Sequence, residues 1–305
     1  MDRSDQPGTK RRGFRGSAHT GEVLMAVVKR VQAVPASQAS FARILVGLGL
    51  SVLAGSGALA QSAEDDLAKK LANPVASLIS VPFQWNYDGR IGPLDKGSRQ
   101  TLNIQPVIPI PLNADWNLIS RTIVPLIRQT DIFPGAGSQA GVGDIVQSLF
   151  LSPAAPTGGI IWGVGPIVLV PTGSERLLSG RQWAAGPTAV ALSQSGPWTI
   201  GMLGNHLWSF AETRFDARRI SATFLNPFVT YNAAGGWSFT LQTETTYDWV
   251  NRTWTVPVTA SVAKLTRIGA QPVSFNLGLR YYASSPAGAA KGLGVRASMV
   301  FLFPT

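Results

Sequence analysis

WSFTLQTETTYDW, residues 237–249, separates its side chains by chemistry at every step. Trp237, Phe239, Leu241, Thr243, Thr245, Tyr247 and Trp249 share one parity, and Ser238, Thr240, Gln242, Glu244, Thr246 and Asp248 the other. Successive side chains of a strand point to opposite faces, so this segment reads as a strand with one apolar and one wet face. The split recurs at 273–281, where Val273, Phe275, Leu277, Leu279 and Tyr281 oppose Ser274, Asn276, Gly278 and Arg280. It recurs again at 293–303, where Gly294, Arg296 and Ser298 oppose Leu293, Val295 and Phe301.

Extending the reading outward gives twelve runs between Gly, Pro, Asn and Ser breaks: 78–87, 100–112, 116–127, 142–152, 160–171, 182–193, 198–210, 220–231, 237–249, 253–264, 273–282 and 293–303. A soluble β-sandwich also alternates, so periodicity leaves sandwich and barrel open. The tryptophans separate them. All nine fall near run ends, which is the place of the interfacial aromatic girdles of a membrane barrel. Connectors after odd runs are the longer ones, apart from 250–252, and those after even runs are short, as in outer-membrane barrels. Fold class is therefore all-β: a transmembrane antiparallel up-and-down barrel of twelve strands with a short N-terminal helix. Prolines 106, 109, 125, 166, 187, 227 and 257 lie within runs and mark bulges or distortions of the wall.

Composition agrees. The chain has 305 residues, 45% hydrophobic but only 14% charged, where a globular domain carries about 25%. Cysteine is absent, which excludes a disulfide scaffold, thiol catalysis and Cys-ligated metal. Of the net charge of +10, half sits in residues 1–60. There, Lys29, Arg30 and Arg43 precede the apolar stretch ILVGLGLSVLAGSGAL (44–59), which ends at Ala58-Leu59-Ala60. This is the pattern of a secretory signal peptide cleaved after Ala60, with Met25 as an alternative start. Beyond it, residues 61–77 are expected to be a periplasmic helix or tether, its Asp65, Asp66, Lys69 and Lys70 forming a solvated face, and residues 78–305 the barrel.

The blocks AKKLANP (68–74), SLISVPFQWNYD (77–88), LNIQPVIPIPL (102–112), WNLISRTIVPLI (116–127), GVGDIVQSLFLSP (141–153), IWGVGPIVLVPT (161–172), GPTAV (186–190), NPFVTY (226–231) and the tail VFLFP (300–304) resemble a bacterial outer-membrane β-barrel "transporter" family. That family is sometimes mislabelled neuromedin U, and it is related to outer-membrane proteins associated with the phenol meta-cleavage pathway. The resemblance implies an outer-membrane location and a transport role, with no catalytic residues to carry over. A departure is the end, where Phe303 is followed by Pro304-Thr305 instead of closing on the aromatic.

Function follows from what can face a twelve-strand lumen, which lies between the filled eight-strand case and open porins. Candidate lumen-lining residues are Arg121, Asp144, Glu244, Asp248, Arg280 and Arg296. Mixed charge in a narrow pore selects solutes by field and size, whereas Arg280 and Arg296 pairing with Glu244 or Asp248 could equally serve only to fill the lumen. The expected function is passive passage of small solutes, hydrophobic and aromatic ones among them. The alternatives are an outer-membrane hydrolase using His206, although Ser209 falls on the opposite face, and a non-conducting structural barrel. No cofactor or metal is expected, since a lone histidine and scattered acids lack ligand spacing. The expected partners are outer-membrane lipid, a small solute and the barrel-assembly machinery during biogenesis. Nucleic acid is not among them, because the basic excess carries no suitable helix or aromatic platform.

Overall fold

The computed structural model describes residues 58–213 and 217–304. All but the last three residues of the expected leader, Met25 among them, lie outside the described residues. A helix, α1 (Ala58–Leu71), precedes fifteen strands: β1 (Ile79–Ile91), β2 (Gly97–Ile104), β3 (Val107–Pro111), β4 (Trp116–Thr130), β5 (Ser138–Val142), β6 (Ile145–Pro153), β7 (Ile160–Val170), β8 (Gln182–Ser195), β9 (Trp198–Glu212), β10 (Ser221–Ala233), β11 (Trp237–Thr243), β12 (Thr245–Asp248), β13 (Thr253–Ile268), β14 (Gln271–Ser284) and β15 (Gly292–Phe303). Every pairing is antiparallel, and β1 pairs β15 from Ile79↔Phe303 to Tyr87↔Val295, which closes the sheet. Three pairs, β2 with β3, β5 with β6 and β11 with β12, are each one stave in two pieces. The wall thus has the twelve staves expected.

Prolines explain the three interruptions. Gln105 donates its N–H to Pro82 O (2.9 Å), Gly143 to Pro125 O (2.8 Å) and Glu244 to Pro257 O (3.2 Å). A proline accepts but has no N–H to return, so half of each exchanged pair is missing and the ladder lapses there. Around Glu244 the register is unbroken: Phe228 faces Gln242 and Leu225 faces Thr245. Around Gly143 it shifts by one residue, from Leu126↔Val142 to Ile123↔Val146. That extra residue is a bulge, and it flips β6 relative to β5.

Elsewhere the wall bends without breaking. The Gly165-Pro166 and Gly186-Pro187 steps leave gaps in the β6–β7 and β8–β9 ladders. A Cβ on Gly165 would lie 1.9 Å from Leu149 O, and one on Gly186 1.8 Å from His206 O, so only glycine lets these backbones approach.

The outer face is apolar and uncovered, with Ile200, Met202, Leu241, Phe275, Leu279 and Leu293 all exposed. At the end holding the short turns, which is also the end of Ile79 and Phe303, Trp116 packs edge-on to Trp162 (6.0 Å) and Trp198 on Tyr231 (4.9 Å). At the opposite, loop end, Tyr247 contacts Trp249 (4.8 Å) and Trp254 (4.6 Å). Trp85 departs from the expected rim position. Strand β1 runs on to Ile91, so Trp85 sits well inside it, stacked on Tyr87 at 6.4 Å. A closed barrel with a bare apolar outside and aromatic ends satisfies its backbone internally and gives its greasy surface to lipid.

Candidate functional site

Two layers fill the lumen. The lower, at the short-turn end, is built by the N-terminal segment. Leu67 and Ala68 of α1 are buried with Leu265, Val300 and Leu302 on the inner wall. The chain then crosses the lumen, and Val75 is buried against Ile119, Phe150, Val190 and Leu203. Leu78 returns to the first cluster at the start of β1. Polar contacts fix the crossing: Gln194 Nε2 donates to Lys69 O (2.8 Å), Gly236 N to Asp65 Oδ1 (2.7 Å) and Asn117 Nδ2 to Ser77 Oγ (3.3 Å). The expected tether is thus an internal plug, although Asp66 and Lys70 do remain exposed. The apolar inner residues Phe150 and Leu203, odd for a water-filled lumen, are accounted for by what they cover.

Above the plug lies a charged belt. Glu244 Oε2 accepts from Arg280 Nη2 (2.7 Å) and from Arg296 Nη2 (2.6 Å). Asn86 Oδ1 accepts from the same two residues, Arg280 Nη2 at 3.2 Å and Arg296 Nε at 2.8 Å. Asp88 adds a longer contact to Arg280 Nη1 (3.4 Å). Arg121 stands apart from this knot, donating from Nη2 to Gln105 Oε1 (2.9 Å). Toward the loop end, Arg99 Nε donates to Gln129 Oε1 (2.9 Å), which in turn donates from Nε2 to Gln139 Oε1 (3.1 Å). The belt separates cavities. A chamber of about 410 Å³ lies on its loop side, and spaces of about 270 and 180 Å³ lie between belt and plug. Gln105 lines all three, Arg121 the first and last, and Arg296 the first two.

Four of the six candidate residues, Arg121, Glu244, Arg280 and Arg296, therefore come together in the belt. Two do not. Asp144 sits in the bulge and holds the connector 171–181, its carboxylate accepting from Gly173 N (3.1 Å) and Gly180 N (2.8 Å). Asp248 ends β12 and folds over the next turn, accepting from Val250 N (2.8 Å), Asn251 N (3.0 Å) and Asn251 Nδ2 (2.7 Å). Neither is a lumen charge, because each carboxylate is taken up by backbone donors of a loop. Sequence reading passed over Asn86, Asp88, Arg99 and Gln105. The signal for the first two was the alternation of Gln84, Asn86 and Asp88 with Trp85 and Tyr87.

His206 lies on the outer face, its ring 4.0 Å from that of Trp208, with Nδ1 2.7 Å from Thr223 Oγ1. Ser209 faces inward and accepts from Ile220 N (3.1 Å). No group of three or more His, Cys, Asp or Glu that could hold a metal occurs among the described residues.

No model of a known protein family matches the chain, and no curated protein sequence matches it. Among solved structures, the chain is similar to an outer membrane channel from Pseudomonas putida F1, at 14% identity and a TM-score of 0.63, over 74% of this chain and 96% of that one. Weaker likenesses are the β domain of the Bordetella autotransporter BrkA (10%, TM-score 0.43, 74% and 100%) and outer membrane phospholipase A from Escherichia coli (9%, TM-score 0.42, 74% and 98%). The fold is that of the bacterial outer-membrane β-barrels, and its bare apolar belt is built for that membrane.

Proposed function

We propose that this chain is a passive outer-membrane channel for small solutes, hydrophobic and aromatic ones among them, with no catalysis of its own. The observation that carries this is the lumen: a mid-height belt of Arg121, Arg280, Arg296 and Glu244 with cavities on both sides. A barrel serving only as a wall has no use for a chamber of about 410 Å³ lined by charge. In this reading the loop end faces outward, the plug faces the periplasm, and the barrel-assembly machinery inserts the chain from that side. We also infer kinship with the outer-membrane transporter family on the sequence blocks quoted above, with which a channel-like fold agrees.

The hydrolase alternative rests on His206, whose polar neighbour is a threonine hydroxyl, with no carboxylate to orient the ring. Unchanged lipase background in His206→Ala protein is the result expected. The non-conducting alternative draws on the plug. Planar bilayers decide it: purified full-length protein is expected to give small current steps, enlarged in a Val75→Asp variant that loosens the plug. Silence from both proteins, with the barrel folded, would remove the channel reading.

A further inference from the structure

Resting on the channel reading, we infer that the belt is an anion site and that the favoured solute is a small amphipathic monocarboxylate. Charge balance is the first argument. Arg280 and Arg296 meet Glu244, and Arg280 also meets Asp88, so two guanidinium groups face two carboxylates and the knot is neutral. Arg121 and Arg99 are left over. The side-chain partners of both are amides, Gln105 Oε1 and Gln129 Oε1, and among the described residues neither has a carboxylate oxygen within 4 Å. Among the described residues, the belt thus sets four guanidinium groups against two carboxylates, an excess of two positive charges. A low-dielectric tunnel focuses such a field and concentrates the opposite ion.

Geometry makes one of the two a site. Arg121 lines both the loop-side chamber and the smaller space between belt and plug, so its guanidinium stands at the boundary of the two. Arginine offers several N–H donors in a planar fork, and a single bond to Gln105 leaves a pair for a carboxylate. Across the same chamber, Arg280 is only 8% exposed, and its Nε–H has no acceptor. That nitrogen is itself closed off from the chamber, which leaves Arg121 as the guanidinium with donors to offer.

The remaining lining sets the rest of the solute. The chamber is lined mostly by polar side chains, and Ile123, Val146, Ile167, Leu203, Leu207 and Phe224 give it an apolar part as well. A charged group alone would leave that apolar surface wet, and a hydrocarbon alone would leave the guanidinium unpaired. A carboxylate carried on an aromatic ring or short alkyl chain satisfies both, and the chamber of about 410 Å³ accommodates one molecule of that size.

The test is equilibrium binding to detergent-purified full-length protein, with benzoate and its neutral counterpart benzyl alcohol as probes. Benzoate is expected to bind about tenfold more tightly than benzyl alcohol, because only the carboxylate can make a charge-assisted, forked contact to the Arg121 guanidinium. Arg121→Gln is expected to erase the difference by lowering benzoate binding to the level of benzyl alcohol, and Arg121→Lys, which keeps charge but not the fork, to restore part of it. Equal binding of the two probes, no binding of either, or benzoate binding indifferent to Arg121→Gln in a folded barrel each overturns the inference. Bilayer conductance is read separately. Current steps without benzoate preference leave a channel of another selectivity, whereas binding without steps leaves an anion site in a closed barrel.

Discussion

Replacing Glu244 by glutamine keeps the volume of the side chain and removes the carboxylate shared by Arg280 and Arg296. Breaking a largely buried pair from one side costs about 3 kcal/mol, and chemical denaturation of the folded barrel should show a loss of that order for Glu244→Gln. Arg280 keeps Asp88 and both arginines keep Asn86, so the variant should still fold. At the surface, Asp95 accepts from Lys291 Nζ (2.9 Å) and Arg90 Nη2 (3.3 Å), joining the connectors 92–96 and 285–291. The hydrogen bond from Lys291 holds its carboxyl below the ordinary value of 3.8. A lowered folded value means a contact present above the unfolded pKa and lost as pH falls through the folded one. Protection of the Gly92 amide, which donates to Gly288 O (2.9 Å), taken relative to the intrinsic exchange rate at each pH, is therefore predicted to persist at pH 4 and to fall only in stronger acid; a loss of protection already between pH 5 and 4 would contradict it. Residue identity in the belt was legible wherever alternation survived. Glu244 keeps its face because register continues past Pro257, whereas a bulge moved Asp144 and an end-of-strand turn captured Asp248. Asp88 escaped notice because the alternating run was read as ending at Tyr87, while β1 continues to Ile91.

Among the elements, the strands follow from pattern and the plug does not. Each interrupted stave contains or faces a proline readable in the sequence, yet the sequence does not say which proline breaks a stave. Pro166 and Pro187 lie opposite each other, and β7 and β8 each run through as single strands. The plug left a weaker trace. Helix α1 packs Leu67, Ala68 and, partly buried, Leu71 against the inner wall, and its crossing depends on Val75 and Leu78 in irregular chain, where no period announces a buried face. A carboxylate at position 75 would bury charge among Ile119, Phe150 and Leu203, at a cost of several kcal/mol. Val75→Asp is accordingly predicted to release the plug without unfolding the wall. Protease sensitivity of residues 58–78 should rise while the barrel stays intact; unchanged sensitivity would mean that the segment is held by its polar contacts alone.

For the whole molecule, the account depends on which surface meets hydrocarbon. The twelve-stave closure, the apolar outside and the polar belt within are consequences of one alternation, first visible at 237–249. That segment pairs with β10 and β13 along its length, so a reversed assignment would turn Phe239 and Leu241 into the lumen and Thr240 and Gln242 into lipid. The chain has no cysteine, so a single introduced thiol labels one position uniquely. Nitroxide labels placed in turn at Phe239, Thr240, Leu241 and Gln242 in lipid vesicles report collision with oxygen, which concentrates in hydrocarbon, and with a water-soluble nickel complex. Oxygen accessibility is predicted to be high at 239 and 241 and low at 240 and 242, with the nickel complex giving the inverse. The opposite phase, or four labels equally open to the nickel complex, would contradict a barrel whose greasy face lies in the membrane.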